Sequence, residues 1–444
     1  MTATLQGQTT ELLQQLIRNG CVNDGTPDSG GERRNADLLA GVLEGAGLEV
    51  ERFTPRGDRT SIVARIEGSD PTAPKVCLMG HTDVVPFNAE GWREDPLGGE
   101  LIKGEVWGRG AVDMLNLTAS MAVAMRHLAR SNFRPKGDLI YFGVADEEAM
   151  GVWGAKWMAE QHWDAIACDY VLTEMGGWSV HGPSGHKIGI SVGEKGLAWR
   201  RLRIKGTPGH GSMPFGADNA LVKAAEIIRR VARYRPRAQI NDLWRAQVTA
   251  AQLPDELKAA LLDPARVWEA CERLPAATAR HAHACTHTTF SPNVAHAGSK
   301  INVIPDLVEL DIDIRTVPGT TSEDVTAHLR EALGDLFEEV ELVPMFDHAA
   351  SISPTDTPMW DALRRQVRTV YPGAEFLPEL IIGATDARFF RDKGVVGYGT
   401  GLFDRGVTLA EFASRFHGHN ERIDVNSLGL CTDLWVGVVK DLLG

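Results

Sequence analysis

No apolar run in this 444-residue chain approaches the ~20 residues that a helix needs to cross a bilayer. Membrane insertion is therefore not expected. The first residues, Met1-Thr2-Ala3-Thr4-Leu5-Gln6-Gly7-Gln8, lack a basic segment followed by an apolar one, so no secretory signal is expected. Basic residues are in short supply: 46 Lys and Arg face 59 Asp and Glu, a net charge of −13. Such a chain repels phosphate backbones and anionic lipid, which argues against nucleic-acid or membrane partners. Its six cysteines (Cys21, Cys77, Cys168, Cys271, Cys285 and Cys431) form no CxxC pair. A core of this size needs no disulfide staples, and the reading is reduced thiols in a cytoplasmic protein. Internal repeats, long linkers and low-complexity tracts are missing too.

What is present is alternation. Residues 31–46 read as an amphipathic helix with Leu38, Leu39, Val42 and Leu43 on one face. Residues 60–66 and 75–80 read as strands, and 116–130 as a buried helix. The run 138–145 (DLIYFGVA) is continuously apolar, as in a strand covered on both faces. A helix over about 151–162 and a strand over 170–173 follow. This order predicts an α/β layered domain with a mixed central sheet. The pattern then changes. A strand or hairpin over 190–205, a helix over 217–234, an alternating strand over 301–315, a helix over 321–334 and a strand over 338–344 suggest a small α+β, ferredoxin-like sandwich. The Ala-, Arg- and His-rich stretch 236–286 reads as a helical insertion. The last hundred residues return to α/β patterning. The expected organisation is a core domain (1–190 and 347–444) interrupted by an inserted lid domain (191–346), with hinges near 190 and 346.

Polar clusters fall at the predicted strand ends. His81-Thr82-Asp83 follows the strand 75–80, Glu147-Glu148 the strand 138–145, and Glu174 the strand 170–173. Asp113 lies in the loop before the helix 116–130. Ligands of open α/β sheets collect beyond the carboxyl ends of the strands. Acidic groups gathered there repel one another unless a cation intervenes, and two divalent ions resolve the conflict better than one. Histidine with carboxylates suits zinc, with Co2+ or Mn2+ as substitutes. Of adjacent glutamates in a loop, one can bind metal while the other serves as general base. In His81-x-Asp83, the carboxylate can hold the second imidazole nitrogen.

The motifs GHTDVVP (80–86), GRGAVDM (108–114), DEEAMG (146–151), TE (173–174), GTPGHGSMP (206–214), INVIP (301–305), DIR (313–315), ATDARFF (384–390) and HGHNE (417–421) resemble, in order, those of the M20 family of dinuclear zinc peptidases and amidohydrolases. The resemblance implies that Asp113 bridges two zinc ions, with His81 and Glu174 on one and Glu148 and His417 on the other. His417 is chosen over His419 because the pattern HxxNE sets Asn420-Glu421 three residues on. It implies Glu147 as general base and acid and Asp83 as the residue orienting His81. It also implies that His210 stabilises an oxyanion, in the partner's site of a homodimer, that Asn302 and Arg315 hold a substrate carboxylate, and that the Asp113-Met114 peptide is cis. The implied reaction is attack of a water, bridging the ions, on the amide of a small carboxylate-bearing substrate. Glu174 tilts this towards N-acyl amino acids. A dipeptidase or carboxypeptidase is the alternative, and a non-catalytic peptidase-fold binding protein is the remoter one; with all five ligands and Glu147 present, catalysis is the better reading. The chain has Leu115-Asn116 where many members have Lys-Gly. Two segments stay open. Thr385-Asp386 fits a turn or a substrate contact. If the segment were a strand, His281, His283, Cys285 and His287 would share one face and could form an extra metal site, but no distant partner is evident.

Overall fold

The computed structural model describes residues 4–182, 185–407 and 409–444. Its contacts divide the chain into two compact units, Met1–Val192 with Ser353–Glu379 and Thr385–Gly444, and Gly193–Ile352 with Leu380–Ala384. The joints expected at 190 and 346 lie inside the strands Gly185–Glu194 and Val340–His348.

The first unit is built on a mixed sheet. Its centre is parallel: Leu139–Val144 beside Val76–His81, then Tyr170–Thr173, then Val396–Gly399. Arg59–Ile66 and Val50–Arg56 extend one side antiparallel, and Gly185–Glu194 joins Val396–Gly399 antiparallel through Ser191. Every residue of Leu139–Val144 and Val76–His81 is buried, because helices cover both faces. Cys77, Met79, Ile140 and Phe142 pack with Ala155, Met158 and Phe390. On the opposite face Tyr141 donates its hydroxyl to the Thr118 carbonyl at 3.2 Å. Thr118 lies in the helix Leu115–Arg130, which packs with Leu5–Arg18 and Val425–Leu443. The helix expected from 151 starts at Ala155, after Gly151 and Gly154. Among the described residues no helix is long and apolar enough to cross a membrane.

The second unit has the βαββαβ order of a ferredoxin-like sandwich. Its antiparallel sheet runs Thr289–Ala297, Leu307–Thr316, Gly196–Lys205, Val340–His348. Leu307–Thr316 alternates strictly between buried and half-buried positions, and the helices Ala220–Arg233 and Ser322–Leu333 close the buried face through Ile227, Val231, Val325 and Leu329. The strand expected over 301–315 is broken at Pro305, which has no N–H to give to a ladder, leaving Val303–Ile304 as a separate short strand. The insertion is helical: Asp242–Ala250, Asp255–Leu261, Val267–Glu272 and Ala276–Thr286 share a small core around Trp244, Leu257 and Cys285.

His281, His283, Cys285 and His287 do not share one strand face. The segment is mostly helix, so neighbours are four apart rather than two. His283 stacks on His287 with ring centres 4.5 Å apart, and Cys285 Sγ lies 3.5 Å from His281 Nε2. The four are two pairs, and none of them belongs to a group of three possible metal ligands among the described residues.

Candidate metal centre

Three parallel strands end at the same level, and the loops beyond them converge. His81 is the last residue of Val76–His81. Its Nδ1 lies 2.9 Å from the Asp83 carbonyl oxygen, which can only accept, so Nδ1–H donates and Nε2 keeps a lone pair for a ligand. Nε2 lies 3.1 Å from Asp113 Oδ1 and 3.9 Å from Glu174 Oε2. The other Asp113 oxygen lies 3.0 Å from His417 Nε2, which is 3.5 Å from Glu148 Oε2. Two groups of donor atoms result, His81–Asp113–Glu174 and Asp113–Glu148–His417, each with all atoms within 4.8 Å of one another. Asp113 belongs to both, one oxygen facing each. His419 packs its ring against Gly91 instead.

Asp83 holds His81 through its main-chain carbonyl rather than through its carboxylate. Its carboxylate is 3.6 Å from His81 Nδ1, and the main-chain carbonyl makes the short contact. The carboxylate accepts from the Glu147 N–H at 3.3 Å, the Glu148 N–H at 3.1 Å and Asn23 Nδ2 at 2.8 Å. It therefore sets the turn that carries both glutamates.

The site's own charges ask for a cation. Burial pushes Glu147, Glu148 and Glu174 above the usual carboxylate range, Glu148 to about 7, and the neighbouring carboxylates add to it. Burial opposes ionisation of Asp113 as well, but hydrogen bonds from His417 and His81 hold it well below the usual range. Hydrogen bonds to Asp113 and Glu148 raise His417 to about 10. His81 is raised as well, against its burial, by Asp113 and the surrounding carboxylates. Glu148 Oε1 is buried with no hydrogen-bond partner. An imidazole and two carboxylates in each group, with a free carboxylate oxygen, fit divalent ions of the zinc, cobalt or manganese type.

The backbone is strained here. Among the described residues seven non-glycine residues have positive φ, and five of them, Asp146, Met150, Met175, His417 and Asn420, are ligand residues or lie in the ligand loops. Such conformations persist where the surroundings over-determine them. The Asp113-Met114 peptide is cis, as the resemblance implied. Thr385 and Asp386 are buried. Arg388 donates to the carbonyls of Thr385 and Met150, each at 2.8 Å, tying this segment to the Glu147–Glu148 turn.

Sequence reasoning assigned no role to Glu421 and Arg109. The Glu421 carboxylate accepts the N–H groups of Val112 at 2.7 Å and Asp113 at 3.1 Å, and pairs with Arg109 at 2.7 Å. The available signal was a charged residue within each of the motifs GRGAVDM and HGHNE.

The remaining candidates lie in the second unit. His210 is exposed, its Nδ1 2.7 Å from Ser212 Oγ. The short strand Gly209–His210 pairs with Val303–Ile304, and the Gly211 N–H donates to the Asn302 carbonyl at 2.8 Å, which brings His210 and Asn302 together. Arg315 is taken up by Asp313 through two hydrogen bonds of 2.7 and 3.2 Å.

Residues 77–441 match the model of peptidase family M20/M25/M40. The N-fatty-acyl-amino acid synthase/hydrolase PM20D1 of Xenopus tropicalis is 27% identical over 393 residues, 85% of this chain and 74% of that protein. The succinyl-diaminopimelate desuccinylase of Rhodospirillum centenum is 28% identical over 413 residues, 90% of this chain and 92% of that protein. In fold, the M20 family metallo-carboxypeptidase Sso-CP2 from Sulfolobus solfataricus superposes with a TM-score of 0.75 at 17% identity, over 98% of this chain and 99% of that one. The chain therefore belongs to peptidase family M20/M25/M40, whose members are metal-dependent hydrolases.

Proposed function

We propose that the protein hydrolyses the amide bond of small substrates that carry a free carboxylate, N-acyl amino acids foremost, at a centre of two zinc ions. The observation that carries the reading is the pair of ligand groups sharing Asp113, with Glu147 next in sequence to a ligand. His81, Asp113 and Glu174 would hold one ion, and Asp113, Glu148 and His417 the other. Ions held there would offset the charge of the buried carboxylates and supply Lewis acidity for the scissile carbonyl and for water.

The chain's own residues do the rest. Glu147 takes the proton of the attacking water and returns it to the departing amine. Asp83 holds the Glu147 and Glu148 amides, so base and ligand keep a fixed spacing. We assign His210 to the oxyanion, supplied by the partner in a homodimer, and Asn302 and Arg315 to the substrate carboxylate. Arg315 can grip a carboxylate bidentately once it gives up Asp313. The names of both sequence relatives describe work on N-acylated amino acids, which supports the deacylase direction. None of the six cysteines is in a disulfide, in keeping with a cytoplasmic setting.

The test is amine release from a mixed panel of N-acyl amino acids and dipeptides. Faster cleavage of acyl amino acids is expected. Preference for dipeptides would move the assignment to a peptidase, and no cleavage by metal-loaded protein would overturn the deacylase reading.

A further inference from the structure

The turn Asp146–Gly151 hangs on buried side chains through its amides. The N–H groups of Glu147 and Glu148 go to Asp83. The Asp146 N–H donates to Glu32 Oε1 at 3.2 Å. Asp146 in turn accepts from the Trp153 N–H at 2.8 Å, which closes the far end of the segment. Asp83, Glu32 and Asp146 are all essentially out of solvent, and none of them is a proposed metal ligand. Three carboxylates packed this way repel one another unless a cation lies among them.

That cation is Arg59, the first residue of the strand Arg59–Ile66 and 3% exposed. Each of its nitrogens is engaged. Nη1 donates to Glu32 Oε1 at 2.5 Å, Nε lies 3.4 Å from Asp146 Oδ1, and Nη2 donates to Asn23 Oδ1 at 2.9 Å. With its oxygen on the guanidinium, the Asn23 amide turns its Nδ2 to Asp83 Oδ2 at 2.8 Å and towards Asp146 Oδ1 at 3.4 Å. A continuous chain results, from guanidinium to amide to carboxylate to the N–H groups of Glu147 and Glu148. Gly30 makes room for it. At φ +83°, a Cβ there would lie 2.0 Å from Arg59 Nη1 and 2.5 Å from Glu32 Oε2, so only glycine lets the ion pair close.

We propose that Arg59 is a positioning residue for the catalytic turn, holding Glu147 and Glu148 in place through Glu32 on one side and through Asn23 and Asp83 on the other. It does not touch substrate. A planar, permanently charged fork suits the task, because three partners in different directions must be held at once. The catalytic part of this inference rests on Glu147 acting as the base; the structural part, that Arg59 fixes the turn, does not.

The experiment therefore has two readouts, steady-state kinetics and amide hydrogen exchange of the whole protein. In Arg59→Met, kcat should fall by about 10- to 100-fold, the range for residues that orient metal-site groups, with KM within about twofold. Exchange should quicken at Asp146, Glu147, Glu148 and Trp153 while the adjoining strand Leu139–Val144 stays protected. Arg59→Lys keeps the charge but not the fork and should recover part of kcat. Asn23→Ala cuts the relay to Asp83 while leaving the Arg59–Glu32 pair, so exchange should quicken at Glu147 and Glu148 while the Asp146 N–H, held by Glu32, stays protected. Added to Arg59→Met, it should cost less than about twofold more, because both act through one chain. Unchanged kcat and unchanged turn exchange in folded Arg59→Met would overturn the proposal. So would a loss of protection spread evenly through the sheet, the mark of a merely structural residue. If Arg59→Met does not fold, Asn23→Ala decides: turn-local exchange supports the proposal, and wild-type exchange overturns it. If the wild-type protein hydrolyses no amide, the proposed function fails, while exchange still decides whether Arg59 holds the turn.

Discussion

Glu421 is not itself a ligand, yet its loss should reach into the site through the backbone of one. Its carboxylate is buried and accepts two backbone N–H groups, those of Val112 and Asp113, at 2.7 and 3.1 Å. It also neutralises Arg109, 2% exposed, at 2.7 Å. Glu421→Leu removes all three bonds and leaves the guanidinium buried with a carbonyl contact to His417 at 3.3 Å and the Trp92 ring face. Breaking a buried ion pair from one side costs about 3–5 kcal/mol, because the surviving charge is stranded. Arg109→Met alone should cost a similar amount, since it strands the carboxylate. The double variant strands neither. It keeps only the orphaned amides, at about 1–3 kcal/mol each before relaxation. The double-mutant cycle should therefore show the two losses failing to add by about 3 kcal/mol. Urea unfolding of the four proteins, read in the first unit by hydrogen exchange, measures the cycle. Losses that add to within about 0.5 kcal/mol would refute the argument. Glu421→Leu should also release metal more readily, because the Asp113 backbone loses its acceptor.

Three further outcomes are expected. Glu147→Ala should abolish turnover while metal content, measured by elemental analysis, stays near that of the wild type; full activity would sink the proposed mechanism. Gly151→Ala puts a Cβ 2.3 Å from Asp386 Oδ1 at φ +63°. It should displace the glutamate turn and cut kcat by up to about 100-fold, and wild-type kinetics would show the turn to be more pliant than argued. In the second unit, burial, His283 and Lys195 lower His287 from its ordinary 6.5 to about 4. The unfolded chain then binds the proton first on acidification. The stability from neutral His287 is whole above pH 6.5 and is lost as pH falls towards 4, by about 3 kcal/mol. His287→Phe should flatten that slope in denaturation measured across this window, and an unchanged slope would refute the assignment.

Much of the site could be read from strand ends. A buried run such as 138–145 followed by Asp-Glu-Glu signals both a central strand and the polar cluster beyond it, since charges of that kind do not continue into a core. The ferredoxin-like order was legible for the same reason, in the period-two alternation of Leu307–Thr316. What could not be read were partners far apart in sequence. Arg59, Asn23 and Asp83 form one chain only after the sheet folds, and no local period connects them. The pairing of Arg315 with Asp313 was within reach, because residues two apart share a face of a strand. The segment 281–287 misled for a different reason. Its alternation suggests a strand, but Ala276–Thr286 is rich in alanine, the strongest helix former. Its end is held by Lys195, which donates to the carbonyls of Ala284 at 2.8 Å and His287 at 2.7 Å, partners 89 and 92 positions away.

The most direct test of the central claim is to strip the protein of metal and titrate zinc back while following hydrolysis of an N-acyl amino acid. The stripped protein should show no turnover, recovery should saturate at two ions per chain, and replacing His417 by alanine should lose the second equivalent. Hydrolysis by the stripped protein, or full recovery at a single ion, would contradict that claim.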